Sequence, residues 1–200
     1  MSADALSPRL ASLLALQRAE EPETIILLQE VAAGDLVRGI EDGTYDVGMA
    51  LAATTTAFAM NAQPLWADEL ALAIPLRSPL LAYPEVPLDA LLRYRLLQWC
   101  LWACEALSQQ VDARFEPEMH SAKEVTSFDL LAVLVAAGFA VGIAPRSHIA
   151  RARGWGVAMR PLANGPYLIG TQLLRKSDGS ARAVERFAER AVKVAATEAA

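Results

Sequence analysis

Residues 124–145 read EVTSFDLLAVLVAAGFAVGIAP. Thr126 and Ser127 stand directly ahead of a strongly apolar segment, where a hydroxyl oxygen can accept a first-turn N–H group and start a helix at Phe128. Gly138 marks its stop, since glycine most easily takes the left-handed conformation that ends a helix. The spacing therefore predicts a strongly apolar helix over 128–137. Four further apolar residues follow at 141–144, closed by Pro145. A run this short, bounded by turn formers, reads as a strand buried on both faces. An apolar helix delivered straight into a fully apolar strand is half of a β-α-β unit, and such units build parallel α/β sheets.

The same grammar extends in both directions. Upstream, a helix is predicted over 7–20, with Ser7 as its cap, Pro8 at its first position and Pro22 beyond its end. The β-branched-rich run Thr24-Ile25-Ile26-Leu27-Leu28 reads as a strand buried on both faces, followed by a helix over 36–41 closed by Gly43 and a strand over 46–50. A second series begins with a strand at 70–75, a proline-rich connection, a short helix at 88–92, a strand at 96–100, a helix at 105–114 and a brief extended stretch at 117–120. After the quoted stretch come extended segments at 157–161 and 167–174 around the turn 163–166. A closing helix over 181–196 carries Val184, Phe187, Ala188, Ala191, Val192 and Ala195 on one stripe. Two α/β units are expected, split near 66–69, with a last strand and helix that return to the first unit. Two crossings of this kind make a hinge, and the cleft between lobes is the default place for a ligand.

Composition narrows the function. At 200 residues and 54% hydrophobic, the chain has enough apolar surface to offset its ordering entropy. Its longest apolar stretch, 130–144, falls short of the roughly 20 residues a bilayer crossing needs. The amino-terminal residues lack the basic flank and apolar core of an export signal, and the cysteines, Cys100 and Cys104, are too few for a disulfide framework. A reducing cytoplasm is the expected setting. The net charge of −5 is uneven: residues 1–50 hold nine acids against three bases, residues 151–200 nine bases against four acids. The bases Arg182, Arg186, Arg190 and Lys193 recur at helical spacing and read as the solvated face of a helix rather than a phosphate-binding patch. No glycine-rich phosphate loop, nucleophile elbow or His-Glu-x-x-His motif is present, so no catalytic residue, cofactor or metal is assigned.

Four segments in this order, PRLASLLALQRAEEPETIILLQE (8–30), LVRGIEDGTYDVGMA (36–50), LWADELALAIPLRSPLL (65–81) and the stretch 124–145, resemble the effector-binding domain of LysR-type bacterial transcription regulators. The resemblance covers residue 6 to about residue 191. It implies a type-2 periplasmic-binding-protein-like α/β fold, with two Rossmann-like lobes joined by two crossover strands. Lobe I would span 1–67 plus 162–200 and lobe II 68–161, with the outgoing crossing at 66–69 and the return at 160–167. It further implies a small-molecule effector between the lobes, a homodimer that becomes a tetramer in the full-length regulator, DNA contact only through a winged helix-turn-helix outside this chain, and no enzymatic activity. The helix over 7–20 is the expected dimer contact. The chain departs from the family pattern where the DNA-binding domain and the strand ahead of Ser2 are missing, which suggests a truncated chain whose Met1 is artificial. It departs again at Ala140, where a glycine is usual.

In an open parallel sheet, ligands bind beyond the carboxyl ends of the strands. The residues placed there are Ser2, Ala33, Gly34, Leu51, Cys100, Leu101, Trp102, Thr126, Ser127 and Phe128. Two helix starts offer backbone N–H donors, at Ala33-Gly34 and at Thr126-Ser127, with Trp102, Cys100 and Phe128 as an apolar wall. A compact organic acid with an apolar or aromatic body fits such a pocket better than a sugar or a nucleotide. Thr126 and Ser127 also serve simply as the helix cap. Cys100 and Cys104, set among Trp and Leu, read as buried or pocket-lining thiols rather than the redox pair that one branch of the family uses. His120 reads as structural and His148 as a surface residue on a short helix. The alternatives are a free solute-binding protein of the same fold and a cysteine-based redox sensor.

Overall fold

The computed structural model describes residues 1–2, 5–52, 60–99, 104–115, 123–176 and 181–197. In chain order its elements are α1 (Pro8–Glu20), α2 (Ala33–Asp42), β1 (Gly48–Ala52), β2 (Asn61–Pro75), β3 (Leu96–Gln98), α3 (Glu105–Asp112), β4 (Lys123–Glu124), α4 (Phe128–Ala136), β5 (Val141–Pro145), α5 (Arg146–Arg151), β6 (Val157–Arg160), β7 (Leu168–Arg175) and α6 (Arg182–Thr197). Single 3-10 turns occupy Pro79–Ala82, Leu88–Arg93 and Ala152–Trp155. The chain divides into two compact units, Met1–Trp66 with Gly170–Ala200, and Ala67–Ile169. The outgoing passage falls inside the 15-residue strand β2 and the return inside β7.

In the second unit the decisive stretch folds as its pattern requires. Ser7 and Ser127 play the same part in the two units: each caps its helix, with Ser127 Oγ accepting from the Leu130 N–H at 3.3 Å. Gly138 takes a left-handed φ of 79° just past α4. β5 is buried along its whole length. It runs parallel to β3 and antiparallel to β2, and β3 in turn is parallel to β4, while β6 pairs with β2 on its other edge. Gly142 is required for the close approach of α4, because a Cβ there would lie 2.6 Å from Leu131 Cδ2. The sheet is therefore mixed, with its parallel part at β3, β4 and β5. The strand expected at 96–100 ends at Gln98, the helix expected to Arg114 ends at Asp112, and the short helix at 88–92 is a 3-10 segment. The stretch 117–120, with His120, lies outside the described residues.

In the first unit β1 pairs antiparallel with β7, from Gly48 opposite Leu174 to Ala52 opposite Gly170. Leu36 and Ile40 of α2 pack on Ala50 and Leu174 on one face. On the other face Leu10 and Leu13 of α1 meet Met49, Trp66, Leu173 and the α6 residues Ala188, Ala191 and Val194. The α6 stripe is rotated from expectation: Val194 enters the core while Val192 stays 38% exposed.

Two expectations fail here. Residues 24–28 form no strand: Ile25 is 86% and Leu27 91% exposed. A strand needs a ladder partner, and the extended pair Met1–Ser2 reaches only the far end of this run. The Met1 ammonium donates to the Gln29 carbonyl at 2.7 Å, the Val31 N–H to Met1, and the Ser2 N–H to the Met49 carbonyl at 2.9 Å. Nor are the α6 bases a uniformly solvated face. Arg190 is buried, donating to Glu20 and Gln17 at 2.7 and 2.9 Å and pairing with Glu21 at 3.1 Å. Arg186 also bonds Glu21, whose carboxyl these hydrogen bonds pull down to about 2. The acidic end of α1 is thus what orders the basic face of α6.

Candidate ligand site

Three parallel strands of the second unit end at one crest. β3 runs into Trp99, β4 into Val125, Thr126 and Ser127 at the start of α4, and β5 into α5. The Trp99 N–H donates to the Ile143 carbonyl and the Val125 N–H to the Gln98 carbonyl, so the ladder holds these exits in register. Trp99, Phe128 and His148 meet there as an aromatic cluster. Ring centroids are 4.7 Å apart for Trp99 and His148, 5.5 Å for Phe128 and His148, and 5.6 Å for Trp99 and Phe128, all inclined at 52° to 65°. The two contacts of His148 are edge-to-face, which matches the positive edge of one ring to the negative face of another.

His148 is therefore a buried residue, 4% exposed, and not the surface residue expected. It sits in the first turn after a buried strand, where the side chain folds back over the strand end. Burial, with Arg151 adding to it and Asp68 opposing, pushes its imidazole down to about 4, so the ring is neutral at pH 7. Ser147 Oγ lies 3.3 Å from its Nδ1. The Ser147 N–H donates to Asp68 at 3.3 Å, and Arg146 pairs with Glu69 at 2.6 Å, tying the middle of β2 to α5.

Among the other expected site residues, Thr126 and Ser127 are exposed at the start of α4, and Phe128 is buried behind them. In the first unit Ala33 and Gly34 lie inside the first turn of α2, which begins three residues earlier than its apolar pattern suggests. This helix has no side-chain cap, its N-cap being Ala32, and a Cβ on Gly34 would meet nothing within 4 Å. Ser2 is buried with its hydroxyl 3.4 Å from the Met49 carbonyl, and Leu51 is buried opposite Thr171. Cys100, Leu101 and Trp102 lie outside the described residues, whereas Cys104 is buried at the start of α3. The structure thus gathers Thr126, Ser127 and Phe128 at one crest, and separately Ala33 and Gly34 at one helix start. Sequence reasoning missed Trp99 and His148; the signal was their position, each next to the last residues of an apolar strand. Among the described residues no three His, Cys, Asp or Glu side chains group to hold a metal, and no helix is long and apolar enough to cross a membrane.

A family model described as the LysR substrate binding domain matches residues 1–196. No curated protein matches. Among solved structures, full-length BenM carrying E226K is 19% identical with a TM-score of 0.80, the match covering 99% of this chain and 66% of that one. The BenM effector binding domain with its effector benzoate is 19% identical, TM-score 0.78, over 95% of this chain and 87% of that one. The effector binding domain of QuiR in complex with shikimate is 13% identical, TM-score 0.81, over 98% and 94%. The oxidized form of OxyR is 21% identical, TM-score 0.74, over 98% and 92%. This chain spans about two thirds of full-length BenM.

Proposed function

This chain belongs to the LysR substrate-binding domain family, and on that premise we propose that it is the effector-sensing domain of a LysR-type transcription regulator whose effector is a small organic acid. The observation that carries the reading is the crest of the second unit. An aromatic cluster built on Trp99, Phe128 and a neutral His148 stands beside the α4 start at Thr126 and Ser127. The helix starts at Thr126-Ser127 and at Ala33-Gly34 each offer N–H groups to a carboxylate, and the buried rings give the crest an apolar floor. Benzoate, named as the effector of BenM, and shikimate, named in complex with QuiR, are both organic acids. The contact residues proposed for the effector are Ser2, Ala33, Gly34, Leu51, Cys100, Leu101, Trp102, Thr126, Ser127 and Phe128.

A ligand acts only through different affinities for two arrangements of the domain. The domain works in the cytoplasm as a homodimer, without catalysis, and reaches DNA through a domain outside these residues. A thermal-shift screen of organic acids, sugars and nucleotides against the 200-residue chain tests the reading. Acids alone are expected to raise the melting temperature. Stabilisation by sugars or nucleotides alone overturns the ligand class. A Cys100–Cys104 disulfide that forms quickly in mild peroxide, with a conformational change, overturns it in favour of redox sensing.

A further inference from the structure

Gln172 is a polar side chain in a place that has no structural use for one. It lies in β7 between Thr171 and Leu173, is 7% exposed, and its Oε1 has no hydrogen-bond partner among the described residues. An orphaned buried acceptor lowers stability, and a leucine of similar size would remove that penalty.

Its position is set by register. Gln172 pairs with Ala50, so it shares a face with Ala50 and Leu174, the face that Leu36 and Ile40 of α2 cover. α2 runs back along β1: its end leads through Gly43 into the start of β1, and Leu36 and Ile40 lie over Gly48. The first turn of α2 therefore stands over the far end of β1, where Ala50 and Ala52 oppose Gln172 and Gly170. That turn has no side-chain cap, and the space at Gly34 is open. Its one acid, Asp35, is paired with Arg38, which offsets the charge an incoming anion would meet.

Resting on the organic-acid reading above, we propose that Gln172 is a specificity-determining residue of the effector site. Its side-chain carbonyl accepts a hydrogen bond from a hydroxyl or N–H group of an acid whose carboxylate lies on the uncapped first turn of α2. The effector class narrows from organic acids to hydroxy or amino acids. Helix N–H groups hold the carboxylate whatever the rest of the molecule, whereas an acceptor without a partner discriminates sharply against analogues that lack the donor.

The test is titration calorimetry of the 200-residue chain with matched probes: benzoate and 3-hydroxybenzoate, cyclohexanecarboxylate and shikimate, propionate and lactate. The wild type is expected to bind the hydroxylated member of at least one pair about tenfold or more tightly, the worth of one buried hydrogen bond. Gln172→Leu is expected to abolish that preference, keep the affinity for the unhydroxylated acid, and melt no lower than the wild type. Gln172→Glu, which adds a charge of the ligand's own sign, is expected to weaken both members. A preference that survives in Gln172→Leu, or a wild type that binds both members of every pair equally, overturns the role of Gln172 alone. Failure of the wild type to bind any of the six acids overturns the organic-acid reading, and this inference with it. If Gln172→Leu fails to fold, Gln172→Met carries the same readout.

Discussion

Residues 141–145 and residues 24–28 are the two most strand-like apolar runs in the molecule, and they end in opposite states. The first is β5, buried along its length, with β2 and β3 on either side and α4 packed over Gly142. The second forms no strand and is open, with Leu27 91% exposed although both of its neighbours are apolar. Hydropathy does not distinguish them. What differs is the ladder: β5 has backbone partners on both edges, while Gln29 and Val31, just past the run, bond only Met1. A strand is a property of a pair, and apolar side chains are buried only where pairing brings a second layer over them.

Substitution tests that contrast directly. Ile143→Ala, at a fully buried position of β5, is expected to cost about 2–5 kcal/mol in urea-induced unfolding, from lost transfer energy plus the cavity left behind. A cost near that of a surface change would mean that β5 is not the packed centre of its unit. The next largest effect sits at the end of the same strand. The folded pKa of His148 lies below its unfolded value near 6.5, so the unfolded chain takes up the proton first. Its contribution is full above pH 6.5 and is lost as pH falls toward about 4, where it levels off. That window carries about 3 kcal/mol. His148→Phe is expected to flatten the stability profile between those limits, and an unchanged slope would show that the ring is hydrated.

Ser127→Ala is expected to lose about 1 kcal/mol through the α4 cap, and Thr126→Ala less than about 0.5 kcal/mol, both read by thermal unfolding. Calorimetry with a bound acid divides the roles. A double variant with lower melting temperature and unchanged affinity leaves the two hydroxyls as a cap only. The smallest effect belongs to the open run: Leu27→Ser is expected to shift stability by no more than about 0.5 kcal/mol. A larger loss from Leu27→Ser would show that residues 24–28 are covered in solution.

The starts of α1 and α4 are legible in the sequence, because their signals are local. Ser7 with Pro8, Ser127 ahead of Phe128, and Gly138 act within one turn, through a hydroxyl oxygen, a ring or a free φ, and none needs a distant partner. The order of elements also carried the family and hence the fold. Only the tertiary structure decided which apolar runs pair, since pairing joins residues far apart in the chain, such as Leu97 with Gly142 or Gly48 with Leu174. The same reason hid the candidate site. Trp99, Phe128 and His148 lie 20 to 49 positions apart and meet only because three parallel strands end together. Arg190 looked solvated until α1 brought Glu20 and Glu21 across to it, and nothing in the sequence marks Gln172, whose place opposite Ala50 is set by register. Local chemistry is written in neighbouring residues, whereas burial depends on which segments the folded chain brings together.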